Sequence, residues 1–408
     1  MFNPKIILSI DTSCDDTSVS VVKRKNQISL ILSNIVSSQI EIHKKYGGVY
    51  PTFAKREHQR NLVFVLKRSL IEAGLLKLNQ QNKKLKNDSN SKTLSRNQIK
   101  NKRLKKILER EEILYKPLKK FLTEYQKPKI DAVAITNGPG LEPCLWVGVN
   151  FAKAISYYWN LPIIPVNHIK GHILANWLET INSISKNPKN KIFPIICLVV
   201  SGGHSQLILM KNFRKYRILG ETRDDAAGEC LDKTARILGL EYPGGPIIAE
   251  QAAHLKNKKS DIKLPRPLFY SKDYDFSFSG LKTAVLYDFK KRSPEIRKSK
   301  KYVQAMCKEI QQAIIDVLIK KTLKAVKDYK VKAVVLAGGV AANKELSEQL
   351  KHQLSIIDNQ LIFLVPSKDL CTDNAAMIGA AAGFYSEKMK SRENLEVMPH
   401  LRIDEQFA

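Results

Sequence analysis

Twice along this chain a short apolar run enters a turn of small polar residues and leaves it as a second β-rich run. Residues 6–10 lead into Asp11-Thr12-Ser13-Cys14-Asp15-Asp16-Thr17 and out into 18–23, with 28–33 following after a four-residue polar turn. Residues 193–200 lead into Ser201-Gly202-Gly203-His204 and out into 206–210. Tight connections between consecutive strands imply antiparallel pairing, so each half opens on a meander. Strand–helix units then follow. A helix fits 51–73, where Phe53, Leu62, Val65, Leu66, Leu70 and Ile71 recur at mostly helical spacing, and a buried strand fits 130–135. In the second half, helices fit 229–238, 304–329 and 374–385, and apolar strands fit 333–336, which ends on Gly338-Gly339, and 361–365. The repeated order predicts a duplicated α/β fold of two lobes, 1–190 and 191–408, with a nucleotide-sized cleft between them. The last helix is free to pack back on the first lobe.

Residues 76–129 differ in kind. They are rich in Lys, Asn, Gln and Ser and lack a sustained apolar stripe, so they read as an inserted loop or partly helical arm rather than core. Only 104–125 fits an amphipathic helix. From Lys77 to Arg110 there are 12 Lys+Arg against 2 Asp+Glu, and the whole chain carries a net charge of +29. Such an excess fits a polyanionic partner, nucleic acid first, although Lys- and Asn-rich composition also arises without any binding role. The longest apolar run, residues 192–200, is far short of the ~20 residues of a membrane-spanning helix. Six cysteines, no two closer than 33 residues, support neither a zinc-finger spacing nor a disulfide framework. With an N-terminus that leads straight into a strand, the expectation is a soluble, reduced, cytoplasmic protein with no membrane association.

Several clusters could carry chemistry. The turn holding Asp11, Asp15 and Asp16 can aim N–H groups and hydroxyls at phosphate while a carboxylate holds water or a cation, or it can be an ordinary Asp/Ser/Thr turn. The Gly202-Gly203 and Gly338-Gly339 turns would let backbone approach a ligand. In His168-Ile169-Lys170-Gly171-His172 the two histidines share a helix face and can ligate one metal. No Glu follows the first, so the metalloprotease pattern with its general base is absent. A third ligand is required, and Asp373, at a helix start, is the best-placed distant carboxylate. The acids Asp224, Asp225, Glu229 and Asp232 fit either a polar ligand or a helix N-terminus.

Taken together these strings resemble one family, the tRNA N6-adenosine threonylcarbamoyltransferases. The resemblance rests on Ile10 to Asp15, Asn137-Gly138-Pro139-Gly140-Leu141, His168 to His172, Val200 to His204, Asp224 to Lys233, Tyr242 to Pro246, Asp275 to Thr283, Gly338 to Asn343 and Thr372 to Met377. These occur in the family's order and span nearly everything outside 76–129. The resemblance implies an actin/Hsp70-like (ASKHA, ribonuclease H-like) fold. It also implies transfer of threonylcarbamoyl from threonylcarbamoyl-AMP to N6 of adenosine 37 in tRNAs that read ANN codons. By motif, His168, His172 and Asp373 would hold one divalent metal ion per subunit, iron or alternatively zinc. Val199, Val200, Ser201, Gly202, Gly203, Asp232, Gly245 and Asn343 would bind the acyl-adenylate. Asp15, with Asp11 and Asp16, is the candidate for activity and for proton removal. The implied partners are a catalytically inactive homologue of the same fold (TsaB-like) and a small P-loop ATPase (TsaE-like), with a homodimer as the other assembly.

Four departures from the family pattern stand out. Asp16 occupies a position where Glu is usual, Thr52 follows Pro51 where Glu is usual, Cys144 stands where Ser is commoner, and 76–129 is an insertion of about fifty residues. The insertion reads either as a basic arm that adds tRNA contacts or, the favoured reading, as a neutral loop of the kind exposed connections tolerate. Rival readings are a non-catalytic scaffold of the same fold, against which the intact His168, His172 and Asp373 argue, and an ATP hydrolase of the same superfold.

Overall fold

The computed structural model describes residues 5–25, 28–79, 91–179, 192–255, 262–385 and 394–405. The chain forms two compact units, one of 1–39, 49–187 and 373–402, the other of 40–48, 188–372 and 403–408.

In the first unit β1 (Ile6–Asp11), β2 (Thr17–Lys25) and β3 (Ile28–Ser37) make the expected meander. On its other side β1 pairs in parallel with β4 (Ala132–Gly138), and β4 with β5 (Ile163–Asn167). The two-residue β6 (Leu178–Glu179) completes the order β5-β4-β1-β2-β3-β6. Strands β4 and β5 are buried at every position, as parallel strands covered on both faces must be. One face carries Leu8, Ile10, Val19 and Val21 into a core with helices α2 (Pro51–Glu72) and α5 (Glu142–Trp159). The other face takes α6 (His168–Leu174) and α14 (Ala375–Tyr385). There a Cβ on Gly379 would lie 2.7 Å from Val22 and one on Gly171 2.9 Å from Ile378, so glycine is what lets α14 seat on both the sheet and α6.

The insertion is not the loose arm its composition implies. Residues 80–90 lie outside the described residues, but α3 (Ser91–Ile107) and α4 (Glu112–Glu124) form a pair. Their Leu104, Leu108, Leu114, Leu118, Phe121 and Leu122 are buried in the same core as Leu62, Leu66, Phe151 and Trp159. The buried side chains recur at i+4 and i+3 from Leu104 through the break at Glu111 to Leu122, within the stretch that fits an amphipathic helix. Glu111 at that break is itself buried, accepting from Gln59 and from Asn150 with Lys55 at 4.0 Å.

The second unit repeats the plan. The meander β7 (Ile195–Val200), β8 (Ser205–Asn212) and β9 (Lys215–Glu221) is extended by parallel β10 (Ala333–Ala337) and β11 (Ile362–Leu364), in the order β11-β10-β7-β8-β9. Around it lie α7 (Ala227–Ile237), α8 (Gly244–Ala253), α9 (Ser279–Lys291), the 30-residue α11 (Lys300–Tyr329) and α12 (Lys344–Ile357). The short helices α1 (Ile40–Lys44), α10 (Pro294–Lys298) and α13 (Lys368–Cys371) complete the unit. This doubled sheet is the α/β architecture expected of the actin/Hsp70-like class. Among the described residues, no helix is long and apolar enough to cross a membrane.

Candidate functional site

Strand β5 ends at Asn167, whose side-chain oxygen accepts from the Lys170 N–H and starts α6. One helical turn then brings His168 and His172 together, both buried, with their Nε2 atoms 3.1 Å apart. The third group comes from far along the chain. Ser18 of β2 accepts from Ala375 N–H, and Asn374 accepts from Met377 N–H, which fixes the start of α14 and holds Asp373 beside the rings. Asp373 Oδ1 lies 3.4 Å from His168 Nε2 and 3.2 Å from His172 Nε2. Its side chain is 24% exposed, against 8% and 1% for the two histidines, so the cluster opens to solvent on the carboxylate side.

The donor set fits a divalent cation. Three ligand atoms at the corners of a triangle with sides of 3.1–3.4 Å match the edges subtended by bonds of about 2.1 Å to a common centre. Two ring nitrogens facing one another also need a proton or a cation between them. Without a cation the proton takes that place. Burial opposes charge on His168, but Asp373 and Asp11 outweigh it and raise the imidazole to about 10. Burial likewise opposes ionisation of Asp373, yet His168 and His172 hold it well below the usual carboxylate range. Among the described residues this is the group of His, Cys, Asp and Glu side chains that converges in this way.

Asp11, at the end of β1, stands behind the histidines. It is buried, and its Oδ2 lies 3.5 Å from His168 Nδ1, the nitrogen pointing away from Asp373; neither atom makes another hydrogen bond. Its Oδ1 accepts from Ser13 N–H and closes the turn. The Asn137–Leu141 motif packs against that turn, with Leu141 N–H donating to the Ser13 carbonyl. A Cβ on Gly148 of α5 would lie 2.2 Å from Thr12 Oγ1, so α5 approaches closely there. Thr12 in turn donates to the carbonyl of Cys144, a contact of backbone that Ser or Cys serves equally. Burial, with Asp15 and Asp373 adding to it, raises Asp16 to about 7. Burial and Asp15 likewise raise the Cys14 thiol well above its ordinary value.

One residue the sequence reading passed over organises this turn. His58, on the buried face of α2 with Ala54, Leu62 and Val65, meets the Cys14 carbonyl through Nε2 at 3.0 Å and the Thr17 hydroxyl through Nδ1 at 2.7 Å. A carbonyl only accepts, so Nε2 carries the proton and Nδ1 accepts from Thr17. The available signal was a histidine in phase with an apolar helical stripe.

The remaining candidates lie in the second unit. Val199 and Val200 end β7, and the turn Ser201–His204 is closed by Ser201 N–H to the His204 carbonyl and His204 N–H to Ser201 Oγ. Gly202 and Gly203 face open space. Parallel pairing of β7 with β10 sets Gly338 alongside, with φ +90° and a Cβ position only 2.4 Å from the Val200 carbonyl oxygen. Gly228 at the start of α7 donates to the Ser201 carbonyl. Two glycine turns and a helix start therefore meet at the same end of this sheet, the arrangement that holds phosphate or polar ligands through backbone N–H groups. Asp232, one turn along α7, accepts from Gly244 N–H at 2.7 Å beside Gly245. Asn343 caps α12 and donates to Gln311. Asp224 and Asp225 are occupied structurally. The first accepts from Ser277, Phe278 and Ser279, and the second bridges Lys233 and Lys282.

A family profile described as TsaD, tRNA N6-adenosine threonylcarbamoyltransferase, matches residues 30–80 and 101–380. The protein of that name from Syntrophomonas wolfei subsp. wolfei is 41% identical over 397 residues, covering 97% of each chain. That from Thermosipho melanesiensis is 42% identical over 399 residues, covering 98% of this chain and 100% of its own. Among solved structures, full-length HypF in its phosphate- and nucleotide-bound form aligns with a TM-score of 0.47 at 13% identity, covering 68% of this chain and 50% of that one, a likeness too slight to decide anything. The extent and identity of the sequence matches settle the relationship: the chain belongs to the tRNA N6-adenosine threonylcarbamoyltransferase family.

Proposed function

We propose that this chain transfers the threonylcarbamoyl group of threonylcarbamoyl-AMP to N6 of adenosine 37 in tRNAs reading ANN codons, with release of AMP. The observation that carries the reading is the convergence of His168, His172 and Asp373 in a chain of this family. In the reaction the N6 amine attacks the carbamoyl carbon, the bond from that carbon to the phosphate oxygen breaks, AMP leaves with the electron pair, and one amine proton is lost. An exocyclic adenine amine is a weak nucleophile, so the carbonyl must be polarised. A cation held by His168, His172 and Asp373 supplies that Lewis acidity when bound. We assign iron there, with zinc the alternative that imidazole and carboxylate donors also suit.

This chain's own residues do the rest. Backbone N–H groups of Gly202 and Gly203, with Val199, Val200 and Ser201 shaping the turn that presents them, hold the AMP portion and make its phosphate a better leaving group. Asp232, Gly245 and Asn343 orient its sugar and base. Asp11 is engaged with His168, which leaves Asp15 and Asp16 to take the amine proton; a carboxyl near pH 7 is suited to that. We assign the activity to the cytoplasm, a reading that a tRNA substrate supports. An inactive homologue of the same fold and a small P-loop ATPase are the expected protein partners, with a homodimer as the other assembly. A scaffold would leave three converged metal donors, two of them buried histidines, without a purpose. Mass spectrometry of tRNA nucleosides after reaction with threonylcarbamoyl-AMP tests the proposal. Threonylcarbamoyladenosine in molar balance with AMP is the expected result, and AMP release with unmodified tRNA would point to a hydrolase instead.

A further inference from the structure

Helix α3 of the insertion carries its charge in a specific arrangement. Leu104 and Leu108 anchor it in the core of the first unit. Lys100 rests over the Tyr158 ring at 5.1 Å and Arg110 over the Trp146 ring at 5.5 Å, so these two cations help fasten the helix to α5. Lys102, Lys105 and Lys106 instead lie on the exposed side. Among the described residues none of the three makes an ion pair, and Glu109 is the one exposed acid of the helix and the turn that follows it. Lys116 and Lys120 of α4 are exposed as well. Like charges at i, i+3 and i, i+4 repel, and a helix fixed by its apolar stripe cannot spread them apart. Repulsion of this kind is relieved by a polyanion whose own charges are closely spaced.

We propose that the outward face of α3, through Lys102, Lys105 and Lys106, is a docking surface for the phosphate backbone of tRNA. The inference rests on the tRNA reading above and goes beyond it, because it assigns substrate contacts to one helix, whose three lysines lie just after the family match resumes at residue 101. Contacts of three lysines with phosphates position the nucleic acid without reading its sequence and release counterions as they form. The segment thus acts as a rigid outrigger of the first unit rather than a neutral loop.

The test is a fluorescence-anisotropy titration of an end-labelled ANN-decoding tRNA transcript with the full chain over a series of KCl concentrations. It compares wild type, the triple variant Lys102→Ala/Lys105→Ala/Lys106→Ala and the triple Lys→Arg variant, with thermal melts to establish that all three fold alike. Each lost phosphate contact lowers the slope of log K against log salt by roughly 0.7–0.9. The Ala variant should therefore lose about 2 to 3 from the slope and bind on the order of tenfold or more weakly at low salt, and the Arg variant should match wild type. An Ala variant with wild-type affinity and slope would overturn the surface and leave it to an acidic protein partner. Wild type that neither binds nor modifies tRNA would instead refute the functional reading, so the two failures are distinct.

Discussion

Replacing Asp11 by Asn should weaken metal binding at the histidine cluster roughly 10- to 100-fold while leaving the fold in place. The substitution is nearly isosteric, and its effect follows from which oxygen is exchanged. Oδ1 accepts from Ser13 N–H at 3.1 Å, and an Asn oxygen can keep that bond and the turn it closes. The other atom becomes an NH2 facing His168 Nδ1 across 3.5 Å. A neutral imidazole that offers Nε2 to a cation carries its proton on Nδ1, so two donors would meet where a donor met a carboxylate. The ring must then rotate, or shift its proton to Nε2 and lose the lone pair the metal needs. The expected loss corresponds to about 1.4–2.8 kcal/mol of binding free energy. The assay is competition of chelator-stripped protein with a chromophoric chelator for Zn²⁺ or Fe²⁺, with a thermal melt to monitor folding. Affinity within twofold of wild type, with the fold intact, would refute the assignment of Asp11 as the residue that positions His168. His168→Ala should lose more, since it removes a ligand rather than its support.

Leu118→Ala, in the insertion helix α4, should destabilise the protein by about 2–5 kcal/mol because Leu118 is fully buried; a denaturant midpoint unchanged from wild type would return the insertion to a loop. Burial raises the Glu111 carboxyl above its ordinary range against the opposing pull of Gln59 and Lys55. Because the folded-state pKa exceeds the unfolded one, stability held at low pH is lost as pH rises through the folded value. Chemical denaturation at a series of pH values should therefore show Glu111→Gln gaining on wild type from the usual glutamate range upward, and a difference independent of pH would contradict this. Gly338→Ala adds a Cβ 2.4 Å from the Val200 carbonyl oxygen at a φ of +90°, so it should cost more than about 1–3 kcal/mol and loosen the glycine turns. The check is a melt together with equilibrium binding of AMP, and wild-type values in both would show that the close approach is dispensable.

How far the sequence could be read depended on the distance between partners. His168 and His172 were legible because four residues on one helix fix their spacing. The meanders were legible because their strands follow one another directly. Asp11 was legible as part of a polar turn but not as the support of His168, since only the β1–β4–β5 order carries α6 to it. Asp373 came within reach through its motif, while the Ser18 hydroxyl that fixes its helix start lies on β2. Helix α5 escaped because it is buried on most sides, which erases the amphipathic rhythm that marks a surface helix. In the insertion the amphipathic stretch 104–125 was legible and holds all six buried apolar side chains, but its place in the core was not, because the surrounding lysines dominate the segment's composition.

Central to this account is that the His168, His172 and Asp373 cluster holds the metal on which threonylcarbamoyl transfer depends. The most direct measurement follows labelled threonine from pre-made threonylcarbamoyl-AMP into an ANN-decoding tRNA, with the candidate partner proteins present. It compares metal-loaded wild type, the same protein after chelation and after reloading, and a His168→Ala/His172→Ala variant. The account predicts label in tRNA with loaded wild type, its loss on chelation, its return with iron or zinc, and none with the variant. Equal labelling by the variant, or none from folded, metal-loaded wild type with any partner, would contradict it.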